Sequence, residues 1–167
     1  MPKTLWILTE ERPKKEVLGQ ILNKFIKGQS IAAFFDTLRI IPILDESSLF
    51  TSTYKIVGVT SPAIENIYLR IISGNSSFVD YLVYFQDKDP TALDLPLYAI
   101  EETKTDDSES RNTGIFQRGT KFVYLDVFYP GVDMTMLYNL KIAQKTKPTQ
   151  TNIFGTRCFR TLGVQFM

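Results

Sequence analysis

The sequence contains no histidine. That absence removes serine and cysteine nucleophiles activated by imidazole. It also removes most zinc sites, whose ligand sets draw on histidine. Chemistry must therefore run on carboxylates, lysine, tyrosine or the single cysteine, Cys158. One cysteine cannot form an internal disulfide, and its isolation fits a reducing, cytoplasmic setting. No apolar stretch approaches the roughly 18 residues of a membrane-spanning segment, so no membrane partner is expected. The apolar block Leu5-Trp6-Ile7-Leu8 is too short for a secretory signal. A surplus of one charge is missing too, the formal net charge being +1. A nucleic-acid partner would then have to meet a local basic face rather than a basic protein. Repeats, heptads, a phosphate-cradling glycine loop and a dinucleotide fingerprint are all lacking.

What is present is one domain's worth of chain. At 167 residues it is long enough to bury roughly two-thirds of the surface its unfolded form exposes. The 44% apolar content is that of an ordinary globular protein. Residues 1–167 are read as a single domain. The end at Leu162-Gly163-Val164-Gln165-Phe166-Met167 has no polar tail, which leaves room for a longer protein of which this is the N-terminal part.

Thr4–Leu8 is expected to be a short strand or an apolar entry segment. From Pro13 to Lys27, the residues Val17, Leu18, Ile21, Leu22, Phe25 and Ile26 recur at helical spacing, and Gly28 stops the run. Ser30–Phe35 is expected to continue as a second short helix. Leu38–Leu44 is apolar but carries Pro42, which favours an edge strand or a loop. Strand patterns follow at Tyr54–Val59, Ile64–Ile72, Phe78–Gln86 and Leu95–Thr103, with turn chemistry at Gly74-Asn75-Ser76-Ser77. A polar loop then leads into a helix running towards Lys121. The run Phe122–Tyr129 reads as a strand, Met134–Gln144 as a helix, and Ile153–Met167 as a closing helix or strand. The fold class is α/β, a mixed central sheet of about four to six strands flanked by helices.

The informative stretch is Leu95-Pro96-Leu97-Tyr98-Ala99-Ile100-Glu101-Glu102-Thr103-Lys104. It is an apolar strand that closes abruptly on two carboxylates and an ammonium, and buried charge without a partner is costly. Strand side chains alternate faces, so Glu102 and Lys104 are expected on one face and Glu101 and Thr103 on the other. The preceding strand region carries one acid, Asp80. If the two strands are neighbours, Asp80, Glu102 and Lys104 meet at one end of a sheet. Two carboxylates there suit a hard cation, Mg²⁺ or its substitute Mn²⁺. The Thr103 carbonyl is a candidate third ligand, and Glu16 on the first helix a candidate supporting carboxylate.

Asp80 followed at a distance by Glu102-Thr103-Lys104 resembles the PD-(D/E)xK nuclease superfamily, which includes many type II restriction endonucleases. The resemblance covers roughly Ile64 to Tyr129, and Val79 stands where the proline of the motif is expected. It implies a restriction-endonuclease-like fold and a Mg²⁺-dependent endonuclease in which Asp80, Glu102 and Lys104 are catalytic and Asp80, Glu102 and Thr103 hold the metal. Arg111, Asn112, Gln117, Arg118 and Lys121 fall where such enzymes place a helix beside the substrate, and are expected to contact double-stranded DNA. Cutting both strands implies a homodimer. A junction-resolving or repair nuclease of the same fold is one alternative. A non-catalytic module binding nucleic acid or protein is the other, in which Glu101, Glu102 and Lys104 are an exposed strand end.

Overall fold

The computed structural model describes residues 1–44, 46–47, 50–72, 79–103, 114–138 and 150–167. Among the described residues the elements run β1 (Lys3–Thr9), α1 (Lys15–Gly28), β2 (Phe34–Leu44), β3 (Phe50–Thr60), β4 (Ile64–Ile71), β5 (Tyr81–Phe85), β6 (Tyr98–Glu102), α2 (Gly114–Phe128), β7 (Asp133–Leu137), α3 (Gln150–Thr161) and β8 (Gln165–Phe166). This is a mixed α/β arrangement with parallel and antiparallel strand pairs. No helix among the described residues is long and apolar enough to cross a membrane. Internal contacts group the chain into two units, Met1–Ser77 with Val83–Asp94, and Phe78–Leu82 with Leu95–Met167.

In the first unit the strand order is β2-β3-β4-β1. Strands β2, β3 and β4 form an antiparallel meander, and β1 joins β4 in parallel. From Thr4 onward β1 is buried on both faces, the signature of a strand with parallel pairing. Helix α1 buries Leu18, Ile21, Leu22 and Phe25, one stripe at the spacing read from the sequence. Its first turn carries Glu16 and its last Lys27, each favourable to the helix dipole. The helix closes in a Schellman motif. The Ile31 N–H reaches the Ile26 carbonyl at 3.0 Å and the Ser30 N–H reaches that of Lys27 at 3.2 Å, with Ser30 in the left-handed region at φ 51°. This turn ends the chain's helical path, so Ser30–Phe35 is not a second helix, and Phe34 instead opens the edge strand β2. Gly58 sits at φ 100°, where a Cβ would lie 2.4 Å from the Thr37 carbonyl oxygen. Only glycine fits there, beside the register shift between Phe35 and Arg39.

In the second unit β6, β7 and β8 are parallel neighbours, and the start of β5 lies beside β6. The sequence patterns at 122–129 and 134–144 were misleading. Phe122–Phe128 continues α2, because its buried positions, Ile115, Phe122 and Leu125, follow helical and not alternating spacing. Aromatic and β-branched residues fill its outer face, with Val123, Tyr124, Val127 and Phe128 exposed. Asp133–Leu137 is a strand, β7, whose Met136 and Leu137 are buried; residues 139–149 lie outside the described ones. Helix α3 packs on α2 through Phe159, which contacts Phe116 at 6.2 Å between centroids and fills the space that Gly119 leaves. Its C-terminus repeats the closing motif of α1, with Gly163 at φ 85° and the Val164 N–H on the Phe159 carbonyl at 3.0 Å.

Candidate active site

The site is built within the second unit from the start of β5, the end of β6 and one face of α2. Asp80 precedes β5 and is buried, as are its neighbours Val79 and Tyr81. Its backbone N–H donates to Glu101 Oε2 at 3.1 Å. In return its Oδ2 accepts the Glu102 N–H at 2.7 Å. These two bonds lock the beginning of one strand to the end of the next.

Glu101 is 0% exposed. Its Oε1 accepts from Arg118 NH1 at 2.8 Å and from Lys121 Nζ at 2.9 Å. Arg118 and Lys121 are three residues apart on α2, a spacing that puts both on one helix face. Arg118 NH1 also lies 3.7 Å from Asp80 Oδ2. Burial pushes the Glu101 carboxyl above the ordinary carboxylate range and the Asp80 charge adds to this, while Lys121 and Arg118 oppose it. The site is thus two carboxylates and two cations, largely withdrawn from water.

Alternation along β6 was expected to turn Glu102 towards Asp80 and Glu101 away. The structure turns the two glutamates the other way. Glu101 is the acid joined to Asp80 through Arg118, whereas the half-exposed Glu102 accepts the Tyr81 hydroxyl on Oε2 at 2.9 Å. The sequence could not decide this register, because a slip of one residue exchanges the faces and both positions carry the same side chain. A usable signal did exist, since buried carboxylates require cationic partners and α2 offers two at matched spacing.

Thr103 is buried and ties β6 to β7, its N–H and hydroxyl both donating to the Leu137 carbonyl, at 2.8 and 3.2 Å. Arg118 and Lys121, expected to contact DNA, both donate to Glu101. Gln117 is exposed on α2. Glu16 is exposed on α1, in the first unit. Lys104, Arg111 and Asn112 lie outside the described residues.

For a divalent cation the donor set here is the oxygen pair Asp80 and Glu101. Among the described residues no group of three or more acidic, cysteine or histidine side chains is placed to share an ion. Two hard carboxylates still suit Mg²⁺, which takes one or two from protein and fills its other positions with water and phosphate. The like-charge pressure of Asp80 on Glu101 is what a bound cation would relieve. No family model matches the sequence, and no curated protein or solved structure was found to be similar to it.

Proposed function

We propose that this chain is a Mg²⁺-dependent endonuclease that hydrolyses phosphodiester bonds in double-stranded DNA, of the restriction type and acting as a homodimer. The observation that supports this most is the convergence of Asp80 and Glu101 from two strands, with the Lys121 ammonium and the Arg118 guanidinium beside them. In the proposed reaction Asp80 and Glu101 would hold the cation. When bound, it supplies a water of lowered pKa and polarises phosphoryl oxygens. Lys121 would orient the attacking water or stabilise the hydroxide formed from it, and Arg118 would meet negative charge gathering on the phosphoryl oxygens. Mn²⁺ would substitute for Mg²⁺, since both accept hard oxygen ligands. Lys104 remains part of the proposal as a second ammonium, two residues beyond Glu102.

The test is incubation of the protein with plasmid and phage DNA in Mg²⁺ and, separately, in chelator. Discrete fragments in Mg²⁺ alone support the reading. Intact DNA in both, from a protein shown to be folded, defeats it and leaves the four charged groups as a structural cluster. Preference for branched or damaged DNA over a short duplex sequence would assign the chain to the resolving or repair nucleases.

A further inference from the structure

Both oxygens that Glu101 would offer a metal are already engaged. Oε1 accepts from two cations at once, Arg118 NH1 at 2.8 Å and Lys121 Nζ at 2.9 Å, and Oε2 accepts the Asp80 N–H at 3.1 Å. Asp80 Oδ2 accepts the Glu102 N–H at 2.7 Å and has the same Arg118 nitrogen at 3.7 Å. Glu101 is 0% exposed and Asp80 5%, so an ion arriving from solvent meets almost none of either acid. The position between the two carboxylates that suits a divalent cation is taken by a nitrogen of the protein's own Arg118.

The obstacle is made of side chains and not of backbone. Helix α2 is anchored, with Ile115, Phe122 and Leu125 buried and the Phe159 ring seated against Gly119. Arg118 and Lys121 reach Glu101 from it on long stems, and their side chains are 23% and 37% exposed. Each therefore has a route outward to water by rotation about its own bonds. Charge-assisted bonds to a buried carboxylate are strong, and removing them alone would strand the charge. A divalent cation keeps both acids compensated when the two side chains leave.

We propose that Arg118 and Lys121 are a built-in counter-ion lock on the metal position: they hold the two acids closed, and a divalent cation binds only by displacing them outward. The proposal rests on the metal reading of Asp80 and Glu101 and adds the regulation of that site. A site that must first open binds with an affinity reduced by the fraction of molecules that are open. Cation affinity is then set by the lock as well as by the ligands. Weakening the lock tightens the metal, the opposite of what the loss of a supporting residue does. The displaced groups are also the two that the proposed reaction needs elsewhere, Lys121 at the water and Arg118 at the phosphoryl oxygens. Loading the cation and freeing them are one event.

Binding of Mn²⁺ to the intact protein, without DNA, is read from the EPR signal of the free ion. Lys121→Gln and Arg118→Gln, each shown to be folded by its thermal transition, should bind at least about tenfold more tightly than the wild type. Lys121→Gln decides the matter where Arg118→Gln fails to fold. Lys121→Arg keeps the charge and should stay closer to the wild type than Lys121→Gln does, and Asp80→Asn should abolish the binding. In the wild type, Mg²⁺ should raise the rate at which acetic anhydride labels Lys121, against a steady rate at the exposed Lys27, both followed by mass spectrometry. Affinity in Lys121→Gln equal to or weaker than that of the wild type overturns the lock and leaves the metal reading standing. Tighter binding without faster labelling of Lys121 also overturns it, since charge repulsion alone would explain the gain. No Mn²⁺ bound at an Asp80-dependent site in any of these proteins overturns the metal reading and the lock together.

Discussion

The Asp80 N–H donates to the Glu101 carboxylate across two strands at 3.1 Å, and the Asp80 carboxylate takes the N–H of the very next residue, Glu102. An acid that precedes a strand is thereby fixed against an acid that ends another, and two cations from a single helix close over them. In the proposed nuclease this convergence is what the fold would contribute.

The two cations should contribute unequally. Arg118 is the more buried, with its side chain 23% exposed against 37% for Lys121, and it alone approaches both acids. Removing one partner of a buried charge costs about 3–5 kcal/mol when nothing replaces it. With Lys121 still in place, Arg118→Ala should cost about 1–3 kcal/mol, and Lys121→Ala about 1 kcal/mol or less. Urea unfolding of the two variants checks the order. A larger loss for Lys121→Ala would contradict it.

The raised carboxyl of Glu101 makes a signed prediction for pH. In the folded protein Glu101 keeps its proton to a higher pH than in the unfolded chain, where the ordinary value of 4.5 applies. The folded state then binds more protons between those two values, so this group's contribution to stability falls as pH rises through the window and is flat above it. Glu101→Gln abolishes the titration. The difference in unfolding free energy between the wild type and this variant should therefore decline from pH 4.5 upwards and then level off. A difference that grows with pH would show that the cations dominate burial.

The two helix ends form a matched pair for a third prediction. Helices α1 and α3 close with the same hydrogen-bond pattern, but α3 places Gly163 in the left-handed position and α1 places the exposed Ser30 there. A side chain in that conformation costs about 1–2 kcal/mol. Ser30→Gly gives some of this back as unfolded-chain entropy, and a net gain of about 0.5–1 kcal/mol is expected. Thermal unfolding checks it; a loss would mean that the Ser30 side chain supports the turn.

What could be read from the sequence follows from where one force acted alone. Helix α1 was legible because its apolar stripe is regular and its partner face is the core. Strands β3 to β6 were legible from composition and bounding turns. Helix α2 was misread beyond Lys121 because Phe122, Val123, Tyr124, Val127 and Phe128 are strand-favouring residues, and only burial at 115, 122 and 125 reveals the helical period. Asp80 could be singled out as an isolated acid in an apolar strand region. The choice between Glu101 and Glu102 could not be read, since it depends on which face of β6 meets α2.

In the proposed nuclease it is Glu101, and not its neighbour, that works with Asp80 on the cation. The direct measurement compares Mg²⁺-dependent DNA cleavage by Glu101→Gln and Glu102→Gln, each shown to be folded by its thermal transition. Glu101→Gln should lower the cleavage rate at least a hundredfold, as should Asp80→Asn, while Glu102→Gln should stay within about tenfold of the wild type. Full activity in Glu101→Gln with activity lost in Glu102→Gln would contradict it.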